Sequence, residues 1–383
     1  MCNTELGKFC FEHDNWEELL QAEPYWLKVK KDSGYTMFSY DQIKSDFNEP
    51  VVREARGIIF RTGKWENPVC WAFNKFGNYG ESYAPNIDWS TAFVTEKVDG
   101  SLIKLWWDEG DWWISTNGSI DAFKASTGEV KYRNFGSYFY ATVCDYYRIF
   151  DEFLLGLNKD LTYMFELVGP YNRVVVPYDE AEIFFLGARD KFTGEEYLGT
   201  TENKKALGVD WFRTPKVYSL NTLEACLTMA DDFDWNQEGF VVCDIKFNRV
   251  KIKSPAYVMA HYMRNNNVVN RKHLLKIILQ NEIEEFLCYA SEYKEQLLMT
   301  KHLLDSFFTV SNKILNSCRT LRTIPRKTYA DFVKTYPIIF HGMMFRNYEQ
   351  DCTAEEYTSQ WVESKWEVYL DAFEEFYQKL FKQ

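Results

Sequence analysis

The feature that most constrains this chain of 383 residues is a change of texture near Pro255. Before it, short apolar runs alternate with glycine turns such as Thr62-Gly63, Glu109-Gly110-Asp111 and Thr193-Gly194, the pattern of short antiparallel strands. After it, turn signals thin out and apolar residues step by four and three. Val362, Trp366, Tyr369, Phe373, Phe376 and Leu380 do so most clearly and share one face of a helix. The break predicts a strand-rich domain over residues 1–254 and an all-helical domain over 255–383.

Within the first part the patterns predict a short helix over Asn15–Ala22 and a hairpin of Leu27–Lys30 with Tyr35–Tyr40. A buried strand follows over Val51–Phe60, returning through Pro68–Phe73. Ala92–Glu96, Leu102–Trp107, Trp112–Thr116, Leu161–Leu167, Arg173–Pro177 and Ile183–Ala188 read as further strands, and Ser137–Leu157 as one amphipathic helix. Asn221 with Glu224 fits a capping box for a helix over Thr222–Asp231, and Gly239–Ile245 with Val250–Lys253 forms a last hairpin.

Several classes drop out. No apolar run approaches the roughly 18 residues of a membrane span, and the acidic first thirty residues lack a signal peptide, so the expectation is a cytoplasmic protein, in the host cytoplasm if the source is viral. Nine cysteines without a CxxC pair fit reduced thiols, and five scattered histidines show no metal-ligand spacing. A net charge of −12 argues against coating nucleic acid non-specifically. It leaves room for local basic grooves, at Lys246, Arg249, Lys251 and Lys253 or at Arg319, Arg322, Arg326 and Lys327.

Thr95-Glu96-Lys97-Val98-Asp99-Gly100-Ser101-Leu102 admits two readings. Asp-Gly between apolar runs is a strong hairpin turn. Alternatively, Lys97 is a nucleophile at a strand end, beside a small-residue turn that lets a phosphate approach the backbone. Other polar residues are equally ambiguous alone. Glu166 sits inside an apolar strand or on its solvent face; Glu238 opens a strand; Lys251 and Lys253 share one face of another, whether a site or an exposed edge.

Their order says more than any member. Lys97-Val98-Asp99-Gly100-Ser101, Ser115-Thr116-Asn117-Gly118, Phe165-Glu166, Glu238-Gly239-Phe240-Val241-Val242 and Lys251-Ile252-Lys253 resemble, in sequence, the motif set of the covalent nucleotidyltransferases. Glu54-Ala55-Arg56-Gly57-Ile58-Ile59-Phe60, Asn74-Lys75-Phe76, Asn86-Ile87-Asp88, Pro170-Tyr171-Asn172-Arg173-Val174-Val175-Val176 and Gly187-Ala188-Arg189-Asp190 narrow the resemblance to the phage-type RNA ligase 1 family, over about residues 35–260.

The resemblance implies an α+β fold: an N-terminal nucleotidyltransferase domain of ATP-grasp-like antiparallel sheets with flanking helices, then an all-α domain concerned with the choice of RNA. It implies ATP-dependent joining of 5′-phosphate and 3′-hydroxyl RNA ends, with AMP carried on Lys97. Lys251 and Lys253 would act on the α-phosphate, while Arg56, Lys75, Glu96, Asp99, Gly100, Glu166 and Glu238 would complete the nucleotide site. Mg²⁺, or Mn²⁺, would be held through water by Asp99, Glu166 and Glu238, with Glu284 and Glu285 as further candidates. A lysine near its usual pKa of about 10.4 is mostly protonated at neutral pH, so cationic neighbours or desolvation must free it.

The implied partners are RNA ends, including a nicked tRNA anticodon loop, and a separate end-healing kinase or phosphatase. Two positions depart from the family pattern: Asn117 stands where a lysine is expected and Gly77 where an aromatic is expected. A DNA ligase, a capping guanylyltransferase and an inactive RNA-binding relative are the alternatives.

Overall fold

The structure, a computed structural model, describes residues 2–147, 149–262, 270–361 and 363–381. The chain divides into two compact units, Met1–His261 and Tyr262–Gln383.

Three antiparallel sheets build the first unit. One has the order β1-β2-β3, from Lys28–Asp32, Tyr35–Ser39 and Arg56–Arg61. The largest has the order β6-β5-β7-β8-β9, where β5 is Ser101–Asp108, β6 Asp111–Ser115, β7 Leu161–Val168, β8 Glu182–Asp190 and β9 Glu196–Leu198. The third has the order β10-β4-β11-β12, from Val217–Tyr218, Phe93–Glu96, Gly239–Cys243 and Arg249–Lys253.

Strand alternation explains the layers. On β5 and β7, Ile103, Leu105, Tyr163, Phe165 and Leu167 face the helices Phe135–Tyr147 and Phe150–Leu155, packing on Tyr138, Phe139 and Phe153. Trp106, on the other face, packs on Met37 and Ile59 of the three-stranded sheet. The far side of that sheet, with Phe38, Ile58 and Phe60, is covered by Leu6, Cys10 and Leu20 from the N-terminal helices. The β4 sheet buries Val94, Phe240, Val242 and Ile252 against Cys226 and Ala230 of helix Leu223–Asp231.

Several local expectations change. Residues 50–54 form a helix, Pro50–Glu54, because Pro50 opens it and the apolar pair Val51-Val52 packs inward. Glu54 is buried and accepts the Leu6 N–H at 2.8 Å. The stretch from Pro68 contributes only an isolated bridge, Cys70 to Ile59, and Arg173–Pro177 is irregular. The expected helix over Ser137–Leu157 is two, with Arg148 between them outside the described residues. Thr222, not Asn221, caps helix Leu223–Asp231, accepting from the Ala225 N–H.

Helix Pro255–Tyr262 falls almost wholly in the first unit, so the compact units part some seven residues later than the change of texture. Tyr257 supplies the reason, for its hydroxyl donates to Asp99 at 2.8 Å.

The second unit is helical throughout its described residues, from Arg271–Leu279 to Glu363–Phe381. Phe307, Phe340, Trp366 and Phe373 meet at its centre, with Phe307 and Phe373 edge to face at 5.4 Å. Val362 of the expected apolar stripe lies outside the described residues.

Candidate active site

The Lys97 stretch is not a hairpin. β4 pairs with β10 and β11, whereas β5 pairs with β6 and β7, so Lys97-Val98-Asp99-Gly100 crosses between two sheets. Its start is pinned by the Lys97 N–H, which donates to the Gly239 carbonyl at 2.8 Å. The Lys97 ammonium reaches into a cleft of about 200 Å³ between the sheets and the 73–76 segment, open to solvent.

The cleft gathers residues far apart in the chain: Arg56, Glu96, Lys97, Glu166, Arg249, Lys251 and Lys253, with Phe73, Phe76, Leu186, Leu198, Pro215 and Val241 as apolar walls. Lys97 Nζ lies 2.8 Å from Glu238 Oε2, and Lys253 Nζ 3.6 Å from Glu238 Oε1, so one buried carboxylate holds two cations. The shorter contact lacks the direction of a hydrogen bond, leaving Oε2 with acceptor capacity. Burial pushes the Glu166 carboxyl up to about 8, Lys97 opposing the rise and Glu238 adding to it.

On β12 the period of two aims Arg249, Lys251 and Lys253 at one face. Arg249, which the sequence placed only in a basic groove and not in the nucleotide site, is one of the three. Its Nη2 pairs with Glu196 Oε2 at 2.6 Å, a partner 53 positions away that no local pattern announces. Glu196 Oε1 also lies 3.7 Å from Arg189, whose guanidinium covers the Trp71 ring at 3.6 Å. Phe73 carries two guanidinium groups, Arg56 at 4.7 Å and Arg249 at 5.2 Å. Arg56 keeps Nε and Nη1 buried without a hydrogen bond.

Of the other expected members, Asp99, Gly100 and Lys75 lie outside the lining, and the Glu96 backbone is already paired. Asp99 is 5% exposed: Oδ2 accepts the N–H groups of Val175 and Val176 at 2.9 and 2.8 Å, and Oδ1 the Tyr257 hydroxyl. It braces the crossover outside the cleft lining, with three donors on its four lone-pair sites. Gly100 is packed against β7: a Cβ there would stand 2.5 Å from the Leu167 carbonyl and 2.7 Å from Val168. Lys75 is outside the lining too, its Nζ 5.3 and 5.1 Å from the Tyr40 and Phe47 rings. The Glu96 backbone N–H, a possible base contact, already donates to the Lys216 carbonyl at 2.7 Å.

Glu284 is exposed on helix Ile283–Tyr289 of the second unit, and the side chain of Glu285 is outside the described residues. No group of three or more His, Cys, Asp or Glu side chains forms a metal cluster among the described residues. In the second basic candidate Arg319 and Arg322 pair with Asp351 at 3.1 and 2.7 Å, and Arg326 with Glu349 at 3.0 Å. No described helix is long and apolar enough to cross a membrane.

An ammonium at a strand end, two further lysines beside it and a desolvated carboxylate define a site suited to covalent nucleotidyl transfer. The chain belongs to the RNA ligase family, whose profile matches residues 54–257. An RNA ligase of Rhodothermus phage RM378 is 26% identical over 361 residues, covering 78% of this chain and 80% of that protein. The protein described as "Putative bifunctional polynucleotide kinase/RNA ligase" of Autographa californica nuclear polyhedrosis virus is 26% identical over 337 residues. That match covers 82% of this chain but 46% of the viral protein, so the chain spans about half the length of that relative. Among solved structures, an archaeal ATP-dependent RNA ligase aligns with a TM-score of 0.45 and 12% identity over 74% of each chain, a loose likeness.

Proposed function

We propose that the chain is an ATP-dependent RNA ligase that carries AMP on Lys97. The carrying observation is the Lys97 ammonium, 22% exposed in a cleft that Lys251 and Lys253 also line, paired at 2.8 Å with buried Glu238. The Lys97 amine, once deprotonated, attacks the α-phosphorus of ATP; an N–P bond forms, the P–O bond to the β-phosphate breaks, and pyrophosphate leaves. Lys251 and Lys253 offset the charge that gathers on the α-phosphate oxygens. The adenylyl group then passes to an RNA 5′-phosphate, and a 3′-hydroxyl displaces AMP to close the phosphodiester.

Arg56 supports a phosphate or nucleotide contact, since its buried unpaired N–H groups line the cleft. A divalent cation fits the donors present: Glu238, behind the cleft lining and against Lys97 and Lys253, has spare acceptor capacity on Oε2, and Glu166 is a desolvated carboxyl that lines the cleft. Two carboxyl groups, with no cluster of three or more His, Cys, Asp or Glu among the described residues, suit Mg²⁺, which keeps several waters and takes its remaining oxygens from phosphates. Such an ion would neutralise phosphate charge. The implied pathway needs a kinase or phosphatase that leaves 5′-phosphate and 3′-hydroxyl ends, and the viral relative's name pairs a polynucleotide kinase with an RNA ligase. A helical second unit, with no strand among its described residues after Lys253, favours RNA joining over the DNA ligase and capping readings.

Incubation with α-labelled ATP or GTP and Mg²⁺, followed by denaturation, tests the reading. Label from ATP that is acid-labile and absent from Lys97→Ala is expected. Label from GTP would point to a capping enzyme, and an unlabelled wild-type chain would overturn the proposal.

A further inference from the structure

The most anomalous charged group in the first unit is Lys104. It lies in the middle of β5, is 0% exposed, and no carboxylate pairs with it among the described residues. An ammonium buried without a counter-charge is costly, and its carbon stem alone could be replaced by methionine. Its hydrogen-bond partner is the backbone carbonyl of Gly57, on the neighbouring sheet.

Gly57 is where β3 slips. Phe38 pairs with Ile58 but Ser39 pairs with Arg56, so Gly57 is an extra residue, and it adopts φ +72°. This is a glycine bulge, a device that re-aims a neighbouring side chain. In an unbroken strand Arg56 would share a face with Ile58 and Phe60, which pack on Leu6 and Leu20. The bulge turns it to the face of Ile59, the side on which Trp106 packs, and so into the cleft. Lys104, on the same side of β5 as Trp106, reaches across to the carbonyl of the bulged residue. The fit is close: a Cβ on Gly57 would stand 2.5 Å from Lys104 Nζ and 2.9 Å from the Asn117 carbonyl.

We infer that Lys104 is a positioning residue for nucleotide binding: by holding the Gly57 carbonyl it keeps the bulge, and the bulge keeps Arg56 aimed at the anionic ligand of the cleft. The inference rests on the proposed ATP site. Lys104 never touches the nucleotide. It acts through the backbone on a guanidinium whose Nε and Nη1 await an acceptor.

The test measures the single-turnover rate of label transfer from α-labelled ATP to the full chain across ATP concentrations, with KM read as the half-saturating ATP concentration and kcat as the limiting labelling rate. Lys104→Met is expected to raise KM about tenfold or more with kcat changed less than about threefold, since uniform binding is what an aimed arginine supplies. In an Arg56→Ala background the same substitution should change KM by less than about twofold, because the two residues act in series. Lys104→Gln, which keeps a polar group at the bulge and loses reach, is judged by the same criterion should the methionine variant not fold. A KM that does not move, or that rises equally without Arg56, overturns the inference. An unlabelled wild-type chain would instead remove the ATP-ligase reading on which it rests.

Discussion

Asp99 illustrates how one residue changes meaning between sequence and structure. Beside a lysine nucleophile it suggests a metal shell, but three donors converge on its carboxylate and none of them can be shared with an ion at no cost. Asp99→Asn should therefore destabilise the protein by about 1–3 kcal/mol, the cost of mismatched buried hydrogen bonds. Urea unfolding measures this, and the Mg²⁺ dependence of labelling in the folded fraction should stay as it was. A shifted Mg²⁺ requirement with unchanged stability would return Asp99 to the metal.

Glu166 makes a pH prediction at the same scale. Burial pushes its carboxyl from an ordinary 4.5 up to about 8, so the folded state binds a proton that the unfolded state has released between those values. Stability then falls as pH rises: the contribution of the protonated group is complete below about 4.5 and is lost as pH passes through 8. In chelator, Glu166→Gln should match the wild type near pH 4.5 and exceed it near pH 9 in urea denaturation. Parallel pH profiles would show that Glu166 is ionised at no cost in the cleft.

At the scale of elements, the helix Pro255–Tyr262 decides where the catalytic unit ends. Its composition belongs with the helical half, yet Val258 and Tyr257 are 1% and 2% exposed, and Tyr257 braces the Asp99 crossover. A chain stopped at residue 254 loses these contacts, whereas one stopped at 261 keeps the compact unit that holds the whole cleft. Self-labelling with ATP is expected to survive the second truncation and to fail in the first, with thermal unfolding showing the lost stability. Equal labelling by both would make the helix dispensable.

Strands and hairpins with turn chemistry, such as β1-β2 and β11-β12, were legible because their register is local. The Pro50–Glu54 helix, the bulge at Gly57 and the irregular 173–177 segment were not. Each depends on what packs against it: the N-terminal helices, the Lys104 ammonium, and the Asp99 carboxylate that takes the Val175 and Val176 N–H groups.

For the whole molecule, a net charge of −12 means that attraction for a polyanion must be local. The structure gathers one such concentration in the cleft, through Arg56, Lys97, Arg249, Lys251 and Lys253, while Arg319, Arg322 and Arg326 of the helical unit make ion pairs with Asp351 and Glu349. The sequence alone determined the α+β character, the helical second half, and the motif order that carries Lys97, Glu166, Glu238, Lys251 and Lys253, because these are written in local period and in residue type. Only the tertiary structure decided that Asp99 meets Val175, Val176 and Tyr257, that Gly100 packs on Leu167, that Glu196 holds Arg249, and that Lys104 meets the Gly57 bulge. The physical reason is sequence separation: such contacts join residues some 50 to 160 positions apart, and they exist only once the sheets have stacked.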